Sequence, residues 1–157
     1  MTWATERLDQ IKAGVVDAPP VVRTLHLGLI DDWGPGWVRK RWEPKPEVLN
    51  GDGSLFGGYI AALADQILSF VTMTVIADDA TYRTVNLQVQ FVKIGRAHPL
   101  IIEGRVVAAS RQLITVEADF RREDGELIAR AGAQQIVLSG APVFPSPSSQ
   151  REDAATT

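Results

Sequence analysis

The sequence predicts an α+β domain: one long central helix packed on a mostly antiparallel sheet of five or six strands. Two observations lead to this. Residues 59–73 form an apolar run with no Pro or Gly after Gly58, long enough for a single helix. After Ala80 the period of the hydrophobic pattern switches to two and stays there through segments 84–92, 100–109, 113–121 and 127–138, each a strand by pattern. A sheet of this kind needs its apolar face covered, and the central helix is the only element long enough to cover it.

Bulk properties set the frame. A chain of 157 residues fits one domain with a full core, and 45% apolar with 22% charged residues is ordinary globular composition. A net charge of −3 argues against nucleic-acid binding, and the basic clusters Arg39-Lys40-Arg41 and Arg121-Arg122 are too short for a nucleic-acid arm. With no cysteine there is no disulfide framework and no thiolate chemistry. Met1 to Gln10 is charged where a signal peptide needs an apolar core, and Asp65 and Gln66 break the central run, so no membrane span is expected. Cytoplasmic residence fits these features.

In chain order, 2–13 reads as a short amphipathic helix with Trp3, Leu8 and Ile11 on its apolar side and Gly14 as its stop. Pro19-Pro20 predicts an extended lead-in, and 21–30 is β-rich. Residues 31–36 are a turn by composition, and 37–42 a strand closed by Pro44 and Pro46. A glycine-rich loop, 50–58, feeds the central helix. At about 100° per residue, Ile60, Leu63, Ala64, Ile67, Val71 and Thr74 fall on one side. Gly58, Ala62, Asp65, Ser69 and Thr72 fall on the other. In the alternating segment 84–92 the pattern gives one buried face. Asp124-Gly125 marks a hairpin between the last two strands. From Ser139 the composition turns to Pro, Ser and charge, which predicts a disordered tail. The expected organisation is therefore a helix and lead-in over 1–20, the packed domain over 21–140 and the tail over 141–157.

Several chemistries are excluded by what is missing. His26 and His98 have no ligand spacing and there is no Cys, so no metal site is expected. Phe56 stands where G-x-G-x-x-G needs its last Gly, no Gly-Lys-Ser/Thr exists, and G-x-S-x-G is absent. What remains is Gly57-Gly58 at a helix start and Asp65 two turns later. Free backbone N–H groups and the positive end of the helix dipole suit a developing oxyanion there. The glycine pair also suits close packing of a helix on a sheet, and both uses can coexist. Asp65 is either a solvated residue beside Gln66 or a working carboxylate.

Asn50, then Gly57-Gly58, then Ala61-Ala62-Leu63-Ala64-Asp65, then Thr84-Val85-Asn86-Leu87 with Phe91 resembles the hotdog-fold acyl-CoA thioesterases. The branch is the one with the phenylacetate-degradation-type and Arthrobacter-type 4-hydroxybenzoyl-CoA thioesterases. The likeness covers about residues 24–139. It implies the hotdog fold for 21–140, an acyl-CoA substrate, a homodimer or a tetramer built as a dimer of dimers, and no cofactor, CoA being part of the substrate. In that family a His-Gly-Gly loop precedes the catalytic Asp or Glu, which lies nine residues after the His. Here Phe56 holds the His place and Asp65 falls nine residues later.

By this resemblance the Gly57 N–H polarises the thioester carbonyl, and Asp65 acts as nucleophile or general base. Asn50 positions the lytic water or the carbonyl, Ser69 assists the carboxylate, and Gly57 and Asp65 come from different subunits. Phe56 and Gly58 would border the substrate, and Arg96 and Arg111, in turns near strand ends, are the nominees for the CoA phosphates. Two departures stand out: Phe56 for His, and Asn86 where an acidic residue is common. Trp33, Trp37 and Trp42 could line an acyl pocket or belong to the core. A non-catalytic acyl-thioester-binding or assembly module is the rival reading. A hotdog hydratase or dehydratase ranks last, because the helix has no His one turn beyond Asp65.

Overall fold

The computed structural model describes residues 1–144 and places six strands in one antiparallel sheet, with β1 Asp32–Gly34, β2 Trp37–Trp42, β3 Ala80–Phe91, β4 Leu100–Ala109, β5 Leu113–Arg122 and β6 Leu127–Ser139. The spatial order is β1-β2-β4-β5-β6-β3, so β3 is an edge strand of twelve residues. Helix α1 spans Trp3–Lys12, α2 Pro20–Thr24 and α3 Gly57–Met73. The sheet curves around α3, which makes the architecture a hotdog fold. Residues 145–157, most of the expected disordered tail, lie outside the described residues. Its first residues, 141–144, have no regular structure, and Phe144 rests against Trp3 at 5.9 Å between ring centroids.

The apolar stripe of α3 is the centre of the core: Leu63, Ala64, Ile67, Leu68 and Val71 are fully buried and Ile60 nearly so. They meet Ile114, Val116, Ala118 and Phe120, the inward set of β5, and Ile102 of β4. Gly104 lets the helix come this close. A Cβ there would lie 2.4 Å from Val71 Cγ2, well inside van der Waals contact. Thr72, placed with the polar side by periodicity, is fully buried instead and donates its hydroxyl to Leu68 O at 3.0 Å. That local bond satisfies the hydroxyl without solvent.

The N-terminal half departs from the pattern in two places. The β-rich segment 21–30 begins as helix α2, because Pro20 at its first position has the φ a helix requires and needs no N–H partner. Only Pro19, with φ −54° and ψ 154°, is extended as expected. The turn 31–36 is shorter than its composition suggests. Asp32–Gly34 pair with Trp37–Arg39, leaving Pro35-Gly36 as the turn, with Gly36 at φ +81°.

Alternation in β2 turns Val38, Lys40 and Trp42 inward. Lys40 is 1% exposed. Its ammonium donates to Leu27 O and to Gln66 Oε1, both at 2.6 Å, while Gln66 Nε2 donates to Gly28 O at 2.7 Å. Together these bonds tie the 25–30 segment to α3. Burial pushes the Lys40 pKa down to about 7, with Asp31 acting the other way. The unfolded chain keeps this proton up to the ordinary lysine range. Between pH 7 and that range the unfolded state therefore binds more protons, and stability rises with pH. The penalty for burying the charge is fully present below pH 7. Unfolding free energy is expected to rise by about 2 kcal/mol from pH 7 to pH 9, and Lys40→Met to abolish that rise. Urea midpoints of both proteins at the two pH values measure it; an equal rise in the variant would remove Lys40 as the cause.

Candidate active site

The loop before α3 is held from within. Asn50 Nδ2 donates to Ser54 Oγ at 2.9 Å and to Leu55 O at 3.3 Å, and Asp52 Oδ1 accepts from the Ser54 N–H and hydroxyl. Those two bonds hold the Asp52 carboxyl below the usual carboxylate range. Leu55 N donates to Gly95 O at 2.8 Å, which fastens the loop to the β3–β4 connection, and Arg96 adds a bond to Asp52 O at 2.9 Å.

Phe56 ends the loop as the N-cap of α3, and no side chain caps the helix. The first backbone N–H groups with acceptors belong to Tyr59 and Ile60, which both bond to Phe56 O. Among the described residues the N–H groups of Gly57 and Gly58 have no acceptor, as expected for the first turn of an uncapped helix. The flanking rings crowd both α-carbons: a Cβ on Gly57 would lie 3.0 Å from Phe91 Cζ, and one on Gly58 2.6 Å from Phe56 Cε1. The glycines thus leave two donors and a bare backbone between two exposed aromatic rings.

Beside them opens a cleft of about 460 Å³, lined by Asn50, Phe56 and Tyr59, with Val48 and Leu49 on one side and Leu25 and His26 on the other. Tyr59 stacks on Trp42 at 5.3 Å, and its buried hydroxyl has no partner among the described residues. Trp42 Nε1 donates to His26 O at 3.1 Å and steadies the His26 backbone, which has φ +50°. Of Trp33, Trp37 and Trp42, none lines the cleft; Trp42 supports it through its stack on Tyr59, and Trp33 and Trp37 lie in β1 and at the start of β2. The sequence had singled out Asn50 and Phe56 here, but not Tyr59, His26 or Val48. Tyr59 follows the glycine pair directly, and that adjacency was the available signal.

Asp65 is exposed and does not line this cleft. Eight residues separate it from Gly57, roughly 12 Å along the helix axis. Its Oδ1 accepts from the Thr84 hydroxyl at 3.0 Å, and Oδ2 has no partner among the described residues. Ser69, nominated to assist the carboxylate, makes no hydrogen bond to it. Its hydroxyl instead lies beside the phenol of Tyr82, whose pKa burial pushes up and Ser69 opposes. Thr84 takes the role because of a bulge in β3. Thr84 pairs with Gln135 and Asn86 with Gln134, so Val85 is the extra residue and the facing alternation inverts there. Val85 is consequently 58% exposed, against the single buried face expected of 84–92, and Thr84 faces α3.

The two arginines nominated for phosphates sit at opposite ends of the sheet. Arg96 is in the β3–β4 connection by the Gly57 loop, whereas Arg111 is in the β4–β5 turn, whose Gln112 O accepts from Val137 N. Both are exposed. No group of three or more His, Cys, Asp or Glu side chains is placed to hold a metal among the described residues. Among them, no helix is long and apolar enough to cross a membrane.

Comparison with known proteins bears on this arrangement. The family model described as "Thioesterase superfamily" matches residues 52–129, a span that includes Gly57, Asp65 and Thr84. A candidate esterase of Saccharolobus solfataricus is 31% identical over 94 residues, covering 60% of this chain and 66% of that protein. A phenylacetic acid degradation-related candidate thioesterase of Ralstonia eutropha superposes with a TM-score of 0.73 at 24% identity, covering 82% of this chain and 98% of that one. A hypothetical thioesterase of Streptococcus pneumoniae, solved with coenzyme A, gives a TM-score of 0.65 at 23% identity over 72% and 87% of the two chains. The likeness to these two structures is one of fold.

Proposed function

From the match of residues 52–129 to the thioesterase superfamily, we propose that the chain hydrolyses an acyl-CoA thioester to the free acid and CoA, with Asp65 as the catalytic carboxylate. The observation that carries this reading is the uncapped start of α3, where the Gly57 and Gly58 amides have no acceptor among the described residues and lie in sequence between Phe56 and Tyr59, two residues that line the cleft. Amides so placed stabilise charge as it develops on a carbonyl oxygen. In the reaction, the Gly57 N–H receives the thioester oxygen. Asp65 Oδ2 either attacks the carbonyl carbon or removes a proton from the attacking water; the tetrahedral intermediate then expels CoA as thiolate, and in the first case water cleaves the resulting acyl-Asp65 anhydride to release the free acid and restore the carboxylate. No cofactor is required, because the thioester is already activated.

A gap of roughly 12 Å between Gly57 and Asp65 on one helix is too long for both to touch one carbonyl. We therefore place Asp65 of one subunit opposite Gly57 of another, in a homodimer. The edge strand β3 supports this arrangement. Its free backbone groups and the exposed Val85, Phe91, Val92 and Ile94 along and beyond it suit pairing with a second copy. Sedimentation equilibrium at micromolar concentration is expected to give a dimer or a multiple of it. A monomer that is fully active would overturn the shared site.

A panel of aromatic and straight-chain acyl-CoAs, followed by thiol release, tests the activity itself. Turnover on at least one member is expected. Phe56 in place of the family's His gives some ground to a module that binds acyl thioesters without cleaving them; binding with no thiol release across the panel would favour that module.

A further inference from the structure

We infer that Gln135 and Thr84 are positioning residues for Asp65, linked to it in a hydrogen-bond chain that runs in one direction, Gln135 to Thr84 to Asp65. The inference rests on Asp65 being the catalytic carboxylate. It begins with an inconsistency among three polar groups. Thr84 Oγ1 lies 3.0 Å from Asp65 Oδ1 and 3.0 Å from the Gln135 side-chain oxygen. A hydroxyl has a single proton, so it cannot donate to both. Gln135 is fully buried, and with its oxygen toward Thr84 its Nε2 is left with no partner among the described residues.

Turning the amide through 180° keeps its outline and removes the conflict. The Gln135 NH2 then donates to Thr84 Oγ1, and the Thr84 proton is directed at Asp65 Oδ1. The amide oxygen takes the unpartnered place, which costs less than an orphaned buried N–H beside two acceptors competing for one proton. The backbone supports the same direction. Gln135 lies directly opposite Thr84 across β6 and β3, and the bulge at Val85 is what turns Thr84 toward the helix. Bulges commonly re-aim a side chain next to a site of reaction. The chain engages Oδ1 and leaves Oδ2 as the free oxygen for attack or proton removal.

The arrangement makes Gln135→Glu more harmful than Gln135→Met, the reverse of what shape alone predicts. A carboxylate ionised at this position accepts and cannot donate, so it draws the Thr84 proton away from Asp65. Burial and the Asp65 charge favour the neutral acid, which can still donate, so the kinetics are read at the alkaline end of the assay range, where the loss in Gln135→Glu is largest. The Met variant only withdraws a donor and leaves that proton free for Asp65. The test uses kcat and KM on the best acyl-CoA of the panel, with melting temperature followed for every variant. Thr84→Val is expected to lower kcat about tenfold or more with little change in KM, and Thr84→Ser to stay within about threefold of wild type. Gln135→Glu should fall in kcat by about as much as Thr84→Val, Gln135→Met by less, and the Thr84→Val, Gln135→Glu double variant no further than Thr84→Val alone.

A wild-type kcat in Thr84→Val, or losses that add in the double variant, would overturn the chain. Should Gln135→Glu not fold, the contrast between Thr84→Ser and Thr84→Val decides: equal kcat in the two overturns it. Asp65→Asn is measured alongside. If that variant is inactive while Thr84→Val is unimpaired, the positioning chain alone fails; if Asp65→Asn keeps full turnover, the catalytic reading fails and the chain with it.

Discussion

Asp65→Asn is expected to reduce kcat for acyl-CoA hydrolysis by about 10²–10⁴-fold, the range for removing a positioned base. An amide oxygen can still accept from Thr84, so the local geometry survives while the nucleophilic or basic oxygen is lost. Stability should change little, because the carboxylate is exposed and makes a single hydrogen bond. Thiol release and a thermal melt measure both quantities. A folded variant with full activity would remove Asp65 from the chemistry.

Gly57→Pro carries the second large effect. The backbone is already disposed to take the substitution. Gly57 is the first residue of α3, where proline's fixed φ fits and no intrahelical N–H bond is forfeited. Phe56 before it, at φ −65° and ψ 124°, has the extended backbone that proline demands of its predecessor. The helix should therefore persist while one oxyanion donor disappears. Loss of such a donor lowers kcat by about 10²–10³-fold. Gly57→Ala is the control, since it keeps the N–H. Its Cβ would meet the tip of the Phe91 ring at 3.0 Å, a contact relieved by a ring shift of a few tenths of an ångström. A Pro variant no worse than the Ala variant would show that the Gly57 amide plays no part in the rate.

Much of the helix was legible in the sequence. The stripe Ile60, Leu63, Ala64, Ile67, Val71 is buried as its spacing requires, since a helix fixes its own faces by a local period. Gly57-Gly58 announced a bare helix start for the same reason. Four of the strands, β3 to β6, fall close to the alternating segments, and Asp124-Gly125 sits in the last hairpin with Gly125 at φ +91°. Segment 21–30 misled because the β-branched Val21 and Val22 argued for a strand. The local geometry of Pro20 and the burial of Val22 favoured a helical turn.

The partners of Asp65 were not legible. The family resemblance offered Ser69, one turn away on the same helix, whereas the structure supplies Thr84 from the far edge of the sheet. Unbroken alternation over 84–92 puts Val85 on one face with Leu87 and Val89, and Thr84 on the other. A single extra residue against β6 reversed that, and no feature of the strand's own pattern records it. Nor does the run Arg39-Lys40-Arg41 reveal that its middle member is buried against Leu27 O and Gln66.

By itself, then, the sequence determined the fold class, the buried face of α3, the glycine amides and the acid that follows them, all of which depend on neighbours a few residues apart. The tertiary structure alone decided what faces that acid, which groups wall the cleft and which lysine goes inside. Those depend on strand register and on contacts between segments distant in the chain, where a shift of one residue exchanges the two faces of a strand.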